Sequence, residues 1–183
     1  KIEKKYSQYE DKDHLAVVVY SHNNKSTLEN LIKELKQQDY PVNDFKIYVI
    51  LDNCSDGSDS LFRNENFINV INFKETLGKD ATVSTLLEQL ASDTWIDSYV
   101  FLDANRSIQN DFLTNVNSAL LKHDVISGET LLNTEHMDII DSIKAAYQKY
   151  HMNFIRQARS LFGLAAQADS GAFIIRKEIV SPL

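Results

Sequence analysis

The sequence predicts an α/β domain, a doubly wound and mainly parallel sheet with helices on both faces. Three observations carry that expectation. Apolar runs of strand length alternate with stretches of helical periodicity along the chain. Their spacing suits right-handed strand–helix–strand crossovers. The first run, residues 15–20 (LAVVVY), is apolar throughout rather than alternating, as a strand covered on both faces should be.

Each element follows in turn. After the first strand, Ser26 is placed to cap a helix, with Glu29 three residues on completing a capping box. Leu28, Leu31, Ile32 and Leu35 make its apolar stripe, and Tyr40-Pro41 ends it. Residues 46–51 read as the second strand, a short helix is expected around 59–64, and residues 68–73 (INVINF) read as the third strand. Gly78 breaks the chain before a helix over 80–90 that turns Val83, Leu86, Leu87 and Leu90 inward. Residues 98–102 (SYVFL) form the fourth strand. A helix over 111–121 faces Phe112, Val116 and Leu120 to the core, and residues 124–128 give a further strand. A long helix is expected over 137–162, stopped by Gly163, before a last short strand at 172–175 (AFII).

A length of 183 residues suits one domain with a substantial core. The charged lead-in, residues 1–14, is set apart from a domain over 15–183, and both ends read as cuts from a longer protein. The formal charge of −7 speaks against a nucleic-acid partner, which needs clustered Lys and Arg. A single cysteine, Cys54, excludes an internal disulfide and a cysteine-rich zinc site. With no leader pattern and no long apolar run, the chain is expected to be soluble and cytoplasmic.

Polar residues gather where strands end. Ser21-His22-Asn23-Asn24 follows the first strand, Asp52-Asn53 the second and Asp103-Ala104-Asn105 the fourth. Asp, Asn, Ser and Gly end strands for purely conformational reasons. Recurrence at three strand ends points further, because open α/β sheets bind ligands outside the carboxyl ends of their strands. Gly78-Lys79 adds a cation at a helix start, where the dipole also favours an anion such as a diphosphate. Neither G-x-G-x-x-G nor G-x-x-x-x-G-K-[ST] occurs, which speaks against dinucleotide-binding and P-loop enzymes. His14, His123, His136 and His151 lack metal-ligand spacing.

The segments AVVVYSHNN, YVILDNCSDGSDS, TLGKDATVSTLLEQL, YVFLDANRSIQNDFL and LFGLAAQADSGAFIIRKEI, in this order, resemble family 2 glycosyltransferases. The likeness is greatest to the bacterial branch resembling cellulose synthase. It implies a GT-A-type nucleotide-sugar-binding fold. It also implies inverting transfer of a sugar from a nucleoside diphosphate, UDP-linked, to a glycan acceptor in polysaccharide synthesis. By the same resemblance, Ser21, His22 and Asn23 line the base and ribose, Asp52 pairs with the base, and Lys79 lies near the nucleotide. Asp103 and Asn105 fall on the D-x-D that holds ribose, diphosphate and a divalent cation, Mg²⁺ or Mn²⁺. Ser170 and Gly171 fall on a loop against the donor sugar.

Three departures qualify that picture. Tyr20 stands where the family pattern has proline, and Asn24 where it has glutamate. Asn105 replaces the second acidic residue, so the cation is expected to bind weakly without nucleotide, an amide oxygen being neutral. The family's catalytic base is an acidic residue expected beyond Leu183, and membrane segments have room only in a longer parent. A non-catalytic nucleotide-sugar-binding module is the alternative. A flavodoxin-like or receiver-type domain leaves Gly78-Lys79 and residues 163–171 unexplained.

Overall fold

Six strands form one sheet: β1 (Leu15–Ser21), β2 (Phe45–Asp52), β3 (Ile68–Phe73), β4 (Ser98–Asp103), β5 (Val125–Ser127) and β6 (Ala172–Arg176). Their order is β3-β2-β1-β4-β6-β5. The computed structural model describes residues 12–62, 65, 67–128 and 172–180. These belong to one compact unit, Lys1–Gly128 with Ser170–Leu183; a second unit, Glu129–Asp169, lies outside the described residues. The expected helix over 137–162, Gly163, Ser170, Gly171, His136 and His151 therefore also lie outside them.

The core strands β1 to β4 pair in parallel, with β1 between β2 and β4. Strand β6 runs antiparallel to β4, and β5 antiparallel to β6. The order turns at β1: the chain moves outward through β2 and β3, then returns to place β4 on the other side. That reversal opens a crevice at the carboxyl ends of β1 and β4.

Helices cover both faces. Leu28, Leu31 and Leu35 of α1 (Lys25–Lys36), with Leu113, Val116 and Leu120 of α3 (Phe112–Leu120), pack on the face made by Leu15, Val17, Val19, Val49, Val100 and Leu102. Leu86 of α2 (Lys79–Leu90) packs on the opposite face with Ala16, Val18, Ile50 and Tyr99. Successive β1 side chains thus enter different cores, which is why the run is apolar without alternation. At β3, an edge strand, only Ile68 is buried. A short α4 (Lys177–Val180) follows β6.

Three local expectations are corrected. Helix α1 begins at Lys25 with Asn24 as N-cap and no side-chain cap, so the Ser26–Glu29 box is not formed. The Lys25 N–H instead donates to Asp56 Oδ2 at 2.8 Å, a carboxylate from the turn after β2. Glu29 pairs with Lys33 on the surface. In α3 the buried stripe is Leu113, Val116 and Leu120, with Phe112 only flanking it. The short helix after β2 is a 3-10 turn over Ser58–Phe62.

The end of the charged lead-in is tied to the amino edge of the sheet. Tyr40 Oη donates to the Asp13 carbonyl at 2.7 Å, Arg176 pairs with Asp13, and the His14 N–H donates to Asp97 at 2.8 Å. Among the described residues no helix is long and apolar enough to cross a membrane. Leu31 is fully enclosed between α1 and the sheet. Leu31→Ala is expected to lower unfolding free energy by about 2–5 kcal/mol, from lost burial plus the cavity left behind. Val42→Ala, at a 59 % exposed position, should change it by less than about 0.5 kcal/mol. Urea titration checks both.

Candidate functional site

The carboxyl edge of the sheet is built around Asp52, the last residue of β2, whose side chain is fully buried. Its Oδ1 accepts from the Leu77 N–H at 2.9 Å, and its Oδ2 from the Gly78 N–H at 3.0 Å and from Tyr20 Oη at 2.9 Å. One carboxylate thereby joins β1, β2 and the segment leading into α2. Gly78 makes this possible with φ +84°, a left-handed conformation that a side chain disfavours. Burial by itself pushes the Asp52 pKa up, but the bonds from Leu77, Tyr20 and Gly78 outweigh it and hold the net value below the ordinary one. Burial, then the bond to Asp52, raises Tyr20 to about 12, so its hydroxyl stays a donor.

Beside the base contact that the resemblance implies for it, Asp52 has a structural part: it holds three donors of its own chain. It positions a loop. Tyr20, noted in the sequence only as a replacement for proline, is the residue that completes the arrangement. No sequence signal linked it to Asp52, because a separation of 32 positions is closed only in the parallel pairing of β1 and β2.

The turn after β1 interlocks with the turn after β2. Asn23, at φ +53°, accepts through Oδ1 from the Ser55 N–H at 2.8 Å. Cys54 lies between the turns, its thiol toward the Ser21 carbonyl at 3.5 Å and its sulfur accepting from the Asn23 N–H at 3.4 Å. His22 Nδ1 lies 2.6 Å from the Asp52 carbonyl, an acceptor, so that nitrogen carries the proton. Its Nε2 lies 3.4 Å from the Asn23 amide nitrogen. Ser21 is fully buried, and its hydroxyl oxygen has no hydrogen-bond partner among the described residues. Asn53, at φ +50°, donates from Nδ2 to Thr76 Oγ1 at 3.0 Å and secures the segment before α2 a second time.

Lys79 and Asp103 meet at the crevice. The Lys79 ammonium lies 2.5 Å from Asp103 Oδ1, both side chains being partly exposed. Asp103 sits beside Tyr20 in the β1–β4 register, and the Ala104 N–H donates to the Tyr20 carbonyl at 2.9 Å. Asn105 is exposed in the turn that follows. Ser21, His22, Asn23, Lys79, Asp103 and Asn105 are thus brought to one edge of the sheet. Ala172 opens β6 opposite Leu102, one residue before Asp103.

As a cation site this edge offers one carboxylate already paired with an ammonium and one neutral amide. Among the described residues no group of three His, Cys, Asp or Glu side chains could hold a metal ion. Without the oxygens of a bound diphosphate, the described donors are too few for a divalent cation, which favours several anionic oxygens.

An α/β sheet with a polar crevice at its switch point is a general ligand-binding architecture. The glycosyl transferase family 2 model matches residues 16–183, and the chain belongs to that family. Solved structures share the fold. A mannosyltransferase, PcManGT from Pyrobaculum calidifontis, in complex with GDP-Man and Mn²⁺, superposes with a TM-score of 0.59 at 20% identity, over 67% of this chain and 37% of its own. S. aureus TarS 1–349 in complex with UDP gives 0.56 at 20% identity, over 68% and 38%. The same protein with UDP-GlcNAc gives 0.60 at 15% identity, over 92% and 46%. The chain thus spans less than half the length of these three. No curated protein matches it by sequence.

Asp52 and Asp56 both have pKa values lowered by the donors they hold against the opposing effect of burial. A depressed folded pKa contributes stability above the unfolded value, about 3.9, that is lost as pH falls through the folded value. Unfolding free energy should therefore be flat from neutral pH down to about 5 and fall below about 4. Asp52→Asn should cost roughly 1–3 kcal/mol at neutral pH and make that acid loss shallower. Denaturant titrations across pH check both.

Proposed function

We propose that this chain is the donor-binding part of an inverting glycosyltransferase, taking a UDP-linked sugar at the carboxyl ends of β1, β2 and β4. The observation that carries the reading is the Lys79–Asp103 pair at the β1–β4 switch point, where family membership leads one to look for the donor. Solved relatives of the same fold, named with UDP, UDP-GlcNAc and GDP-Man, support the class of ligand. The choice of UDP, the acceptor and polysaccharide synthesis rest on the sequence resemblance.

In this reading Lys79 faces the diphosphate and keeps one of its three N–H donors on Asp103. The Asp52 clamp fixes the backbone from which Lys79 projects. His22, Asn23 and Ser55 form the exposed wall beside the base and ribose, and the sequence resemblance assigns Ser170 and Gly171 to the donor sugar. An acceptor hydroxyl attacks the anomeric carbon from the face opposite the leaving group. The bond from that carbon to the diphosphate oxygen breaks, and the nucleoside diphosphate leaves with the electron pair. The Lys79 ammonium offsets the charge that develops on it. The acceptor proton goes to a general base, and no carboxylate described at this edge is assigned that role. Asp52 is enclosed, Asp56 accepts from Lys25 and Ser58, and Asp103 is held by Lys79.

A second reading, a nucleotide-sugar-binding module without transfer, is favoured by the neutral Asn105 and by these occupied carboxylates. With the base expected beyond Leu183, the 183-residue chain alone should transfer no sugar under either reading. Transfer by a longer parent that carries an acidic residue after Leu183, followed by release of nucleoside diphosphate, separates the two.

Calorimetric titration with UDP and GDP tests the site. UDP should bind, and Lys79→Ala should weaken it by about 1–3 kcal/mol, the range for a hydrogen bond to a charged group, or roughly 5- to 150-fold. Lys25→Ala, outside the proposed contacts, should leave affinity unchanged. Failure of both nucleotides to bind, or equal effects of the two substitutions, sinks the assignment.

A further inference from the structure

We infer that the Lys79 ammonium is the resident cation of the Asp103-Ala104-Asn105 turn, and that a divalent ion reaches Asp103 only by displacing it. The inference concerns the cation side of the crevice and stands whether or not the nucleotide reading holds.

The two charged groups come from different elements and are brought together by backbone that has little freedom. Asp103 ends β4, held in register against Tyr20 of β1. Lys79 is the first residue of α2, directly after Gly78, whose N–H is fixed on Asp52. The Thr82 N–H and hydroxyl both return to the Gly78 carbonyl, at 3.1 and 3.0 Å, so the first turn of α2 is closed behind the lysine. The ammonium therefore reaches Asp103 from an anchored start rather than from a free loop.

A divalent ion approaching Asp103 meets an ammonium already at 2.5 Å from Oδ1. It gains one carboxylate and, from Asn105, a neutral oxygen, while its own charge is repelled by the lysine. An acidic side chain at position 105 would add the second anionic oxygen that hard cations favour. With asparagine there, a fixed monovalent charge neutralises the single carboxylate without any ion from solution. The lysine and the asparagine are thus two parts of one substitution of an ammonium for a metal.

Mn²⁺ alone is the probe, its free concentration followed by electron paramagnetic resonance with the 183-residue chain and no nucleotide present. The wild-type chain should bind Mn²⁺ weakly. Lys79→Met should tighten binding by about tenfold, the effect of removing one close like charge, and Lys79→Gln should do the same. Lys79→Arg, which keeps the charge, should bind as weakly as wild type. Lys74→Met, with the same change in net charge on the exposed segment after β3, should have no effect. Asp103→Asn in the Lys79→Met background should abolish the gain. Thermal melts of all variants confirm folding. The inference is overturned if Lys79→Met and Lys79→Gln bind Mn²⁺ no better than wild type. It is equally overturned if Lys74→Met tightens binding as much, or if the gain survives Asp103→Asn.

Discussion

The carboxylate of Asp52 is the point on which the geometry of this edge depends, because it carries a charge into a place without water and satisfies it wholly from the chain. Burying an ionised carboxylate is costly unless donors meet it. Here two backbone N–H groups and a phenol do so, so the charge is retained rather than neutralised. The donors come from two other parts of the chain, Tyr20 and Leu77–Gly78. Moving any one of them leaves a buried anion underbonded. The tips of β1 and β2 and the start of α2 are held together as a set.

That arrangement requires the rest of the sheet. Tyr20 reaches Asp52 because β1 and β2 lie in parallel register, Tyr20 beside Ile50 and Ser21 beside Leu51. The register is fixed by a core on each face, since a slip of one residue would exchange Val17 and Val19 with Ala16 and Val18 between cores of different shape. The hydrophobic layers therefore do more than stabilise the fold. They set which backbone atoms arrive at the carboxyl edge, and the polar network only completes a placement that packing has made.

The fold was legible because its signals are periodic and local. The unbroken apolar run of β1, the stripe Leu28, Leu31, Ile32 and Leu35, and the turn formers after β2 each point to one element, and the structure has those elements in that order. What could not be read was the pairing across sequence distance. Ser26 and Glu29 have the spacing of a capping box, but a carboxylate 31 residues from Lys25 takes the helix end instead. Asp52 is legible as the polar end of a strand, and only three-dimensional placement reveals the donors that it gathers. The Asp103 end of β4 and Lys79 were each legible as charges near a crevice, but not as partners of each other.

Asp56 sets a polarity on the crevice. In many doubly wound sheets the first helix offers its positive pole to a phosphate, and a glycine-rich turn lets the phosphate come close. In this chain that pole is plugged from within, since the Asp56 carboxylate receives the Lys25 N–H and is braced by Ser58 through both its N–H and its hydroxyl. An anion arriving near α1 meets a negative charge in the position it would need. Under the proposed function, a phosphate would be turned away from the first helix and toward the lysine side, and the missing glycine-rich turn and the acidic plug would both fit that one orientation.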